Sequence, residues 1–339
     1  MAVYTSIDDP EAYFRIKLYT GNATDDTGIV FDTTDTTMQP DFVWIKNRNS
    51  TNEHNLANSV AGATKYLHSN LSQAETTAAN SLQSFDSNGF TVGENANFNT
   101  NTNTYVAWCW KESADAGFDI VLYTGNGTDD TDISHSLSAV PHFFMVKKRS
   151  DTSNWNCYHQ KSNSSPEDGS LQLDETGVFY DDATQWSDEP PTSSVFTLGN
   201  SAQVNANTAT FLAYLWSEKQ GFSKFGSYTG NGNADGTFVY TGFRPALVII
   251  KGAASGDGDA AQNWELYDNK RLGYNVDNDT LFPNTTAADN TADRVDILSN
   301  GFKIRVNSDG VNDNASTYIY AAFAEAPFVN SKGVPCNAR

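Results

Sequence analysis

The apolar residues of this chain come in short runs rich in Val, Ile, Phe, Tyr and Trp, with clusters of Gly, Asn, Asp and Thr between them. That pattern predicts β-strands joined by turns. The segments PDFVWIK (40–46), PHFFMVK (141–147) and PALVIIK (245–251) each follow a proline with a strand-like run. In TYVAWCWKE (104–112), Tyr105, Ala107 and Cys109 fall on one face and Val106, Trp108 and Trp110 on the other. A strand apolar on both faces is central and covered twice. FDSNGFTVG (85–93) predicts a hairpin with Asn88 and Gly89 in a type I′ turn. Helix signals are weak. The apolar side of SQAETTAANSL (72–82) is mostly alanine, which predicts a loop or a short helix.

The pattern repeats. LYTGNATDD (18–26), LYTGNGTDD (122–130) and SYTGNGNAD (227–235) place their tyrosines, Tyr19, Tyr123 and Tyr228, 104 and 105 residues apart. Each copy is followed by the proline-led strand, then by GFTVG, VFTLG or GFKIR, then by a closing aromatic strand: TYVAWCWKE, TFLAYLWSE or TYIYAAFAE. Four landmarks in one order define a unit of about 105 residues. That is far longer than a solenoid repeat or a propeller blade. The expected fold is all-β, three tandem β-sandwich (jelly-roll-like) repeats at 12–115, 116–220 and 221–328, with an N-terminal segment 1–11 and a tail 329–339 outside them. The closing strands align Trp110, Trp216 and Phe323 as core anchors. Two residues on, Glu112, Glu218 and Glu325 also align, and the expected role for them is a structural partner in the next unit.

Charge narrows the function classes. With 21 Lys and Arg against 41 Asp and Glu, the net charge is −20, which repels nucleic acid and anionic membranes. No apolar stretch reaches the length of a membrane span, and residues 1–14 lack the basic and apolar regions of a signal peptide. Cys109, Cys157 and Cys336 sit too far apart for a disulfide framework, which suits synthesis in a reducing cytoplasm.

The chain contains no nucleophile elbow, zinc-protease helix, Walker loop or dinucleotide fingerprint. The expectation is therefore a non-enzyme without a cofactor. Asp25, Asp26, Asp129 and Asp130 crowd acidic oxygens into Gly/Asn turns. They are the candidate ligands for Ca²⁺, against the simpler reading that Asp and Asn cap their own turns. Aromatics between strands are the binding candidates: Trp155 in NWNCYHQ, Trp264 in NWELYDN, His54 at the corresponding place in the first unit, and Trp186, flanked by charge and proline. Against each stands the rule that large aromatics are mostly core.

Three stretches, IDDPEAYFRIKLYTGN, MQPDFVWIKNRNSTNEHNLANSVAGATKYL and NSLQSFDSNGFTVGENANFNTNTNTYVAWCWK, together resemble a group of virion proteins from marine and aquatic tailed bacteriophages, cyanophages included. Members are usually labelled tail fibre or virion structural protein. The resemblance is strongest over 7–112, and the ending YIYAAFAEAPF is also similar. It implies a capsid decoration, tail appendage or short fibre, made in the host cytoplasm and present as a homo-oligomer or in multiple copies among other virion proteins. Binding to a host surface glycan is the first alternative, and a polysaccharide depolymerase the second.

Overall fold

The structure, a computed structural model, describes residues 4–32, 36–256, 262–271, 275 and 279–336. Each repeat builds one antiparallel sheet in the same spatial order. In the first repeat the order is Phe14–Thr20, Thr104–Trp110, Phe42–Asn47, Asn55–Asn58. The second repeat uses Phe118–Thr124, Thr210–Trp216, Phe143–Lys148 and Asn156–His159, then adds Gly169–Gln172 and Tyr180–Asp181. The third uses Ser223–Thr229, Thr317–Pro327, Phe243–Ala254 and Glu265–Asp268. The closing strand is central in all three, paired on both sides. A smaller sheet belongs to each repeat: Thr27–Val30, Gly89–Val92 and Leu82–Asp86 in the first, Thr131–Ser134 and Val195–Leu198 in the second, Phe238–Tyr240, Gly301–Ile304 and Val295–Leu298 in the third. The fold is all-β.

The two faces of the closing strand go to different cores. Tyr105, Ala107 and Cys109 pack under the small sheet of their own repeat. Val106, Trp108 and Trp110 join Leu212, Tyr214 and Trp216 and Ile319, Ala321 and Phe323 in one cluster shared by all three repeats. The main sheets therefore stand as three walls around a common pseudo-threefold axis. The ring centroids of Trp110, Trp216 and Phe323 form a triangle on it, with sides of 6.1, 6.4 and 5.4 Å. Ile7 from the N-terminal segment, Ala116 from the first link and Phe222 next to the second belong to the same cluster and close one end. The short links let the units share a core that none of them could complete alone.

Buried lysines close the seams cyclically. Lys46, Lys147 and Lys251 occupy one equivalent position and are fully buried. Lys147 donates to the Ser72 carbonyl of the first repeat at 2.8 Å, Lys251 to Thr176 of the second at 2.7 Å, and Lys46 to Thr286 of the third at 3.1 Å. Burial drives their pKa values down, to about 8, about 8 and about 7 for Lys46, Lys147 and Lys251. Beside them, the amides of Glu75, Phe179 and Asp289 donate to the carbonyls of Arg149, Ala253 and Arg48 across the same three seams.

The thrice-written YTGN phrase is structural in every letter but one. The Tyr19, Tyr123 and Tyr228 hydroxyls donate to the carbonyls of Phe98, Val204 and Val311, in or beside three four-residue helices. A Cβ on Gly21, Gly125 or Gly230 would collide with the carbonyl of Thr100, Ala206 or Asp313. The amides of Asn22, Asn126 and Asn231 donate to the side chains of the buried Asn99, Asn205 and Asn312 at 2.8–2.9 Å. The threonine alone lacks such a contact; it pairs with another threonine at the far end of the sheet.

One local expectation changes. The hairpin forms, but Asp86 pairs with Gly89, so Ser87 and Asn88 make the turn. Gly89 is there because its φ of +134° and the nearby Ile29 carbonyl leave no space for a side chain. Residues 72–81 form the loop alternative, with the two-residue strand Thr76–Thr77 in it, since alanines offer too little apolar surface to dock a helix.

Candidate functional site

All four aromatic or imidazole candidates are in the interior, which corrects their assignment as ligand contacts. Trp155, Trp186, Trp264 and His54 are each at most 2% exposed. Three of them belong to the seams. Trp155 Nε1 donates to the His68 carbonyl of the first repeat and Trp264 Nε1 to the Gln172 carbonyl of the second, both at 2.8 Å. His54 takes the equivalent place beside Phe282 of the third, with its Nε2 unpaired, while its Nδ1 accepts from Trp44 Nε1 at 3.0 Å. Burial holds that imidazole neutral, well below its ordinary pKa. Trp186 donates to the Gly169 carbonyl at 2.9 Å and packs edge-on to Phe144. The charge and proline around Trp186 mark an exposed loop, but the indole folds back under it.

Asp25, Asp26, Asp129 and Asp130 are exposed. Asp25 accepts from Gln83 Nε2 at 2.8 Å and Asp129 from Ser187 Oγ at 3.1 Å, while Asp26 and Asp130 take φ values of 52° and 58°. These are turn-forming roles. Among the described residues no three His, Cys, Asp or Glu side chains converge on a metal position.

The aligned glutamates reach the next repeat, as expected for Glu112 and Glu218. Glu218 Oε2 accepts from the Phe225 amide at 3.4 Å, and Glu112 lies beside Asp119 and Ile120 of the second repeat. Glu325 pairs instead with Arg244 at 2.8 Å. Partial burial, and then the neighbouring Asp119, raise Glu112 to about 7.

The surface feature with binding chemistry is a groove between the second and third repeats. Phe238 and Tyr240 are 45% and 54% exposed, two residues apart on the strand Phe238–Tyr240, whose Val239 points inward. The equivalent outward positions are Gly28 and Val30 in the first repeat and Asp132 and Ser134 in the second. The third repeat alone puts two rings there. The groove they border has a volume of about 460 Å³, and a second hollow of about 250 Å³ shares Glu218, Lys224 and Tyr240 with it. Such volumes suit a small-molecule site.

A second exchange opens the groove. Cross-strand neighbours Lys17–Ala107 and Val121–Ala213 correspond to Gly226–Tyr320 in the third repeat. A Cβ at Gly226 would lie 2.5 Å from the Tyr320 hydroxyl. The glycine thus makes space for a phenol that is otherwise enclosed, 3% exposed. Burial, then the Glu218 carboxylate, push its pKa up. Lys224 donates to the Tyr240 carbonyl at 3.1 Å and lies 5.4 Å from the Tyr240 ring centroid. Gln160 Nε2 donates to the Phe225 carbonyl at 2.7 Å and so fixes the groove floor. The readable signal was the difference between repeats at aligned positions.

No curated protein matches the chain. A family match covers residues 9–327, nearly the whole three-repeat body, and the chain belongs to that family, DUF7483, a domain of unknown function.

Proposed function

We propose that the protein is a non-enzymatic structural component of a tailed-phage particle, displayed in multiple copies on its surface as a decoration, appendage or short fibre. The observation that carries this reading is the location of the segments outside the repeats. Thr5, Ile7 and Pro10 are buried at the end of the axis closed by Ala116 and Phe222. Asp8 there accepts from the amide and hydroxyl of Ser331, at 2.7 and 2.5 Å. One end of the body thus gathers both terminal segments, and residues 331–336 beside it are exposed as a handle. In this reading the opposite end and the three flanks are the displayed surface. The test is protease shaving of purified particles followed by mass spectrometry. Release of peptides from this chain is expected; its absence from purified particles, with presence in the infected lysate, overturns the reading.

A second reading, binding to a host surface glycan, is favoured by the outward rings of Phe238 and Tyr240. The depolymerase alternative has no comparable observation behind it.

A further inference from the structure

We propose that the groove between the second and third repeats is a saccharide-binding site, with Phe238 and Tyr240 as its stacking platform and the Tyr320 hydroxyl as its polar anchor. This deepens the glycan-binding reading and rests on it for the biological setting only.

A pyranose ring offers an apolar C–H face and an edge of hydroxyls that both donate and accept. The groove offers the complement of each. Its aromatic wall consists of two exposed rings on one strand, two residues apart and therefore on one side of it. Exposed rings at both positions are absent from the two equivalent strands, so the repeat architecture does not require them.

The polar part is built into the interior. The Tyr320 side chain is more than nine-tenths buried and lines the groove. Its phenol can both donate to and accept from a ligand hydroxyl. The exposed Lys161 and Glu218 lie on the same wall and supply a donor and an acceptor. Tyr320 and Gly226 are cross-strand neighbours, and both depart from the other two repeats at the same place. Four changes confined to one repeat, at positions 226, 238, 240 and 320, converge on one cavity.

The mixed lining favours a saccharide over a protein partner. An apolar protein surface would leave the Tyr320 hydroxyl, Lys161 and Glu218 facing carbon, whereas a sugar satisfies rings and polar groups together.

The test applies the purified full chain to an array of defined neutral hexose, N-acetylhexosamine and uronate oligosaccharides, and then measures the hits by calorimetry. Binding by the native chain is expected. Phe238→Ala and Tyr240→Ala should each weaken it about ten-fold, the loss of one stacking ring. Tyr320→Phe should weaken it without altering the fold. Val30→Ala, at the matching exposed position of the first repeat, should leave it unchanged. Both ring positions are on the surface, so circular dichroism should show native folding for those variants. The proposal is overturned if no oligosaccharide binds, or if binding persists in both ring variants. It is also overturned if light scattering shows that the rings instead hold two copies together. None of these outcomes bears on whether the chain is found in particles, so the virion reading stands or falls separately.

Discussion

Replacing Trp110 tests the shared core directly. Its indole is 2% exposed and packs against Phe14 at 4.9 Å, Phe42 at 5.1 Å, Phe323 at 5.4 Å and Trp216 at 6.1 Å between ring centroids. Burying a large aromatic removes about 150–250 Å² from water. At about 25 cal/mol per Å², that is about 4–6 kcal/mol. One term works against it: Trp110 Nε1 is buried without a hydrogen-bond partner, which costs about 1–3 kcal/mol. Alanine removes both terms and leaves a cavity, so Trp110→Ala should destabilise by about 3–5 kcal/mol. Trp110→Phe keeps most of the packing and deletes the unpaired N–H. It places at this corner the ring that the third repeat already uses at Phe323, and should stay within about 1.5 kcal/mol of the native chain.

Denaturant melts followed by far-ultraviolet circular dichroism give both values. Because Trp110 touches side chains of all three repeats, the native chain and the alanine variant should each melt in one transition, as a shared core requires. A loss below about 1 kcal/mol, the scale of a surface substitution, would refute the central position of the strand. Three separate transitions, with only the first moved by the substitution, would refute the common core.

Three further outcomes follow from the same geometry. Lys46, Lys147 and Lys251 are depressed by burial to about 8, about 8 and about 7, so the folded chain holds fewer protons than the unfolded chain between those values and the ordinary lysine value of about 10.4. Their contribution is present above that range and lost as pH falls through the folded values; the melting temperature should therefore rise between about pH 7 and 9.5, and a flat or falling profile would count against the buried-lysine seams. Glu112 is raised to about 7, so its contribution is present at low pH and lost as pH rises through 7; Glu112→Gln should flatten the stability profile between about pH 5 and 7, and an unchanged slope would refute the raised value. Gly125→Ala should cost at least about 2 kcal/mol, because the new Cβ meets the Ala206 carbonyl, and a neutral result in the same melts would mean that the turn is not held as tightly as the structure shows.

How much of this was legible in the sequence depended on the range of the interaction. The alternation of Tyr105, Ala107 and Cys109 with Val106, Trp108 and Trp110 was enough to place the strand at the centre of a sheet covered twice. It could not say that one cover was the small sheet of the same repeat and the other two more walls around an axis, because apolar periodicity reports burial and not what does the burying. The errors at Trp155, Trp264 and His54 have the same cause. The residues they meet, His68, Gln172 and Phe282, lie in another repeat and leave no trace beside them in the sequence. Trp186 failed differently: its neighbours are polar, but its N–H reaches the Gly169 carbonyl.

A threefold repeat within one chain also carries its own control. The three units solve the same packing problem, so what all three retain is explained by that problem. The Tyr hydroxyl, the glycine and the Asn pair of YTGN each meet an equivalent partner three times, which removes the phrase from the list of functional motifs. Departures then fall into two kinds. Some are exchanged against a local compensation: His54 stands where the others carry tryptophan and still fills the seam, and Glu325 turns from the next strand to Arg244. Others are not required by the packing. Phe238 and Tyr240 expose rings to water where glycine, aspartate, valine or serine serves the same strand elsewhere, and Tyr320 brings a phenol to the groove where alanine fits. All of them border a single groove. Departures that the packing does not require, gathered at one place, point outside the fold, to a ligand that covers the rings.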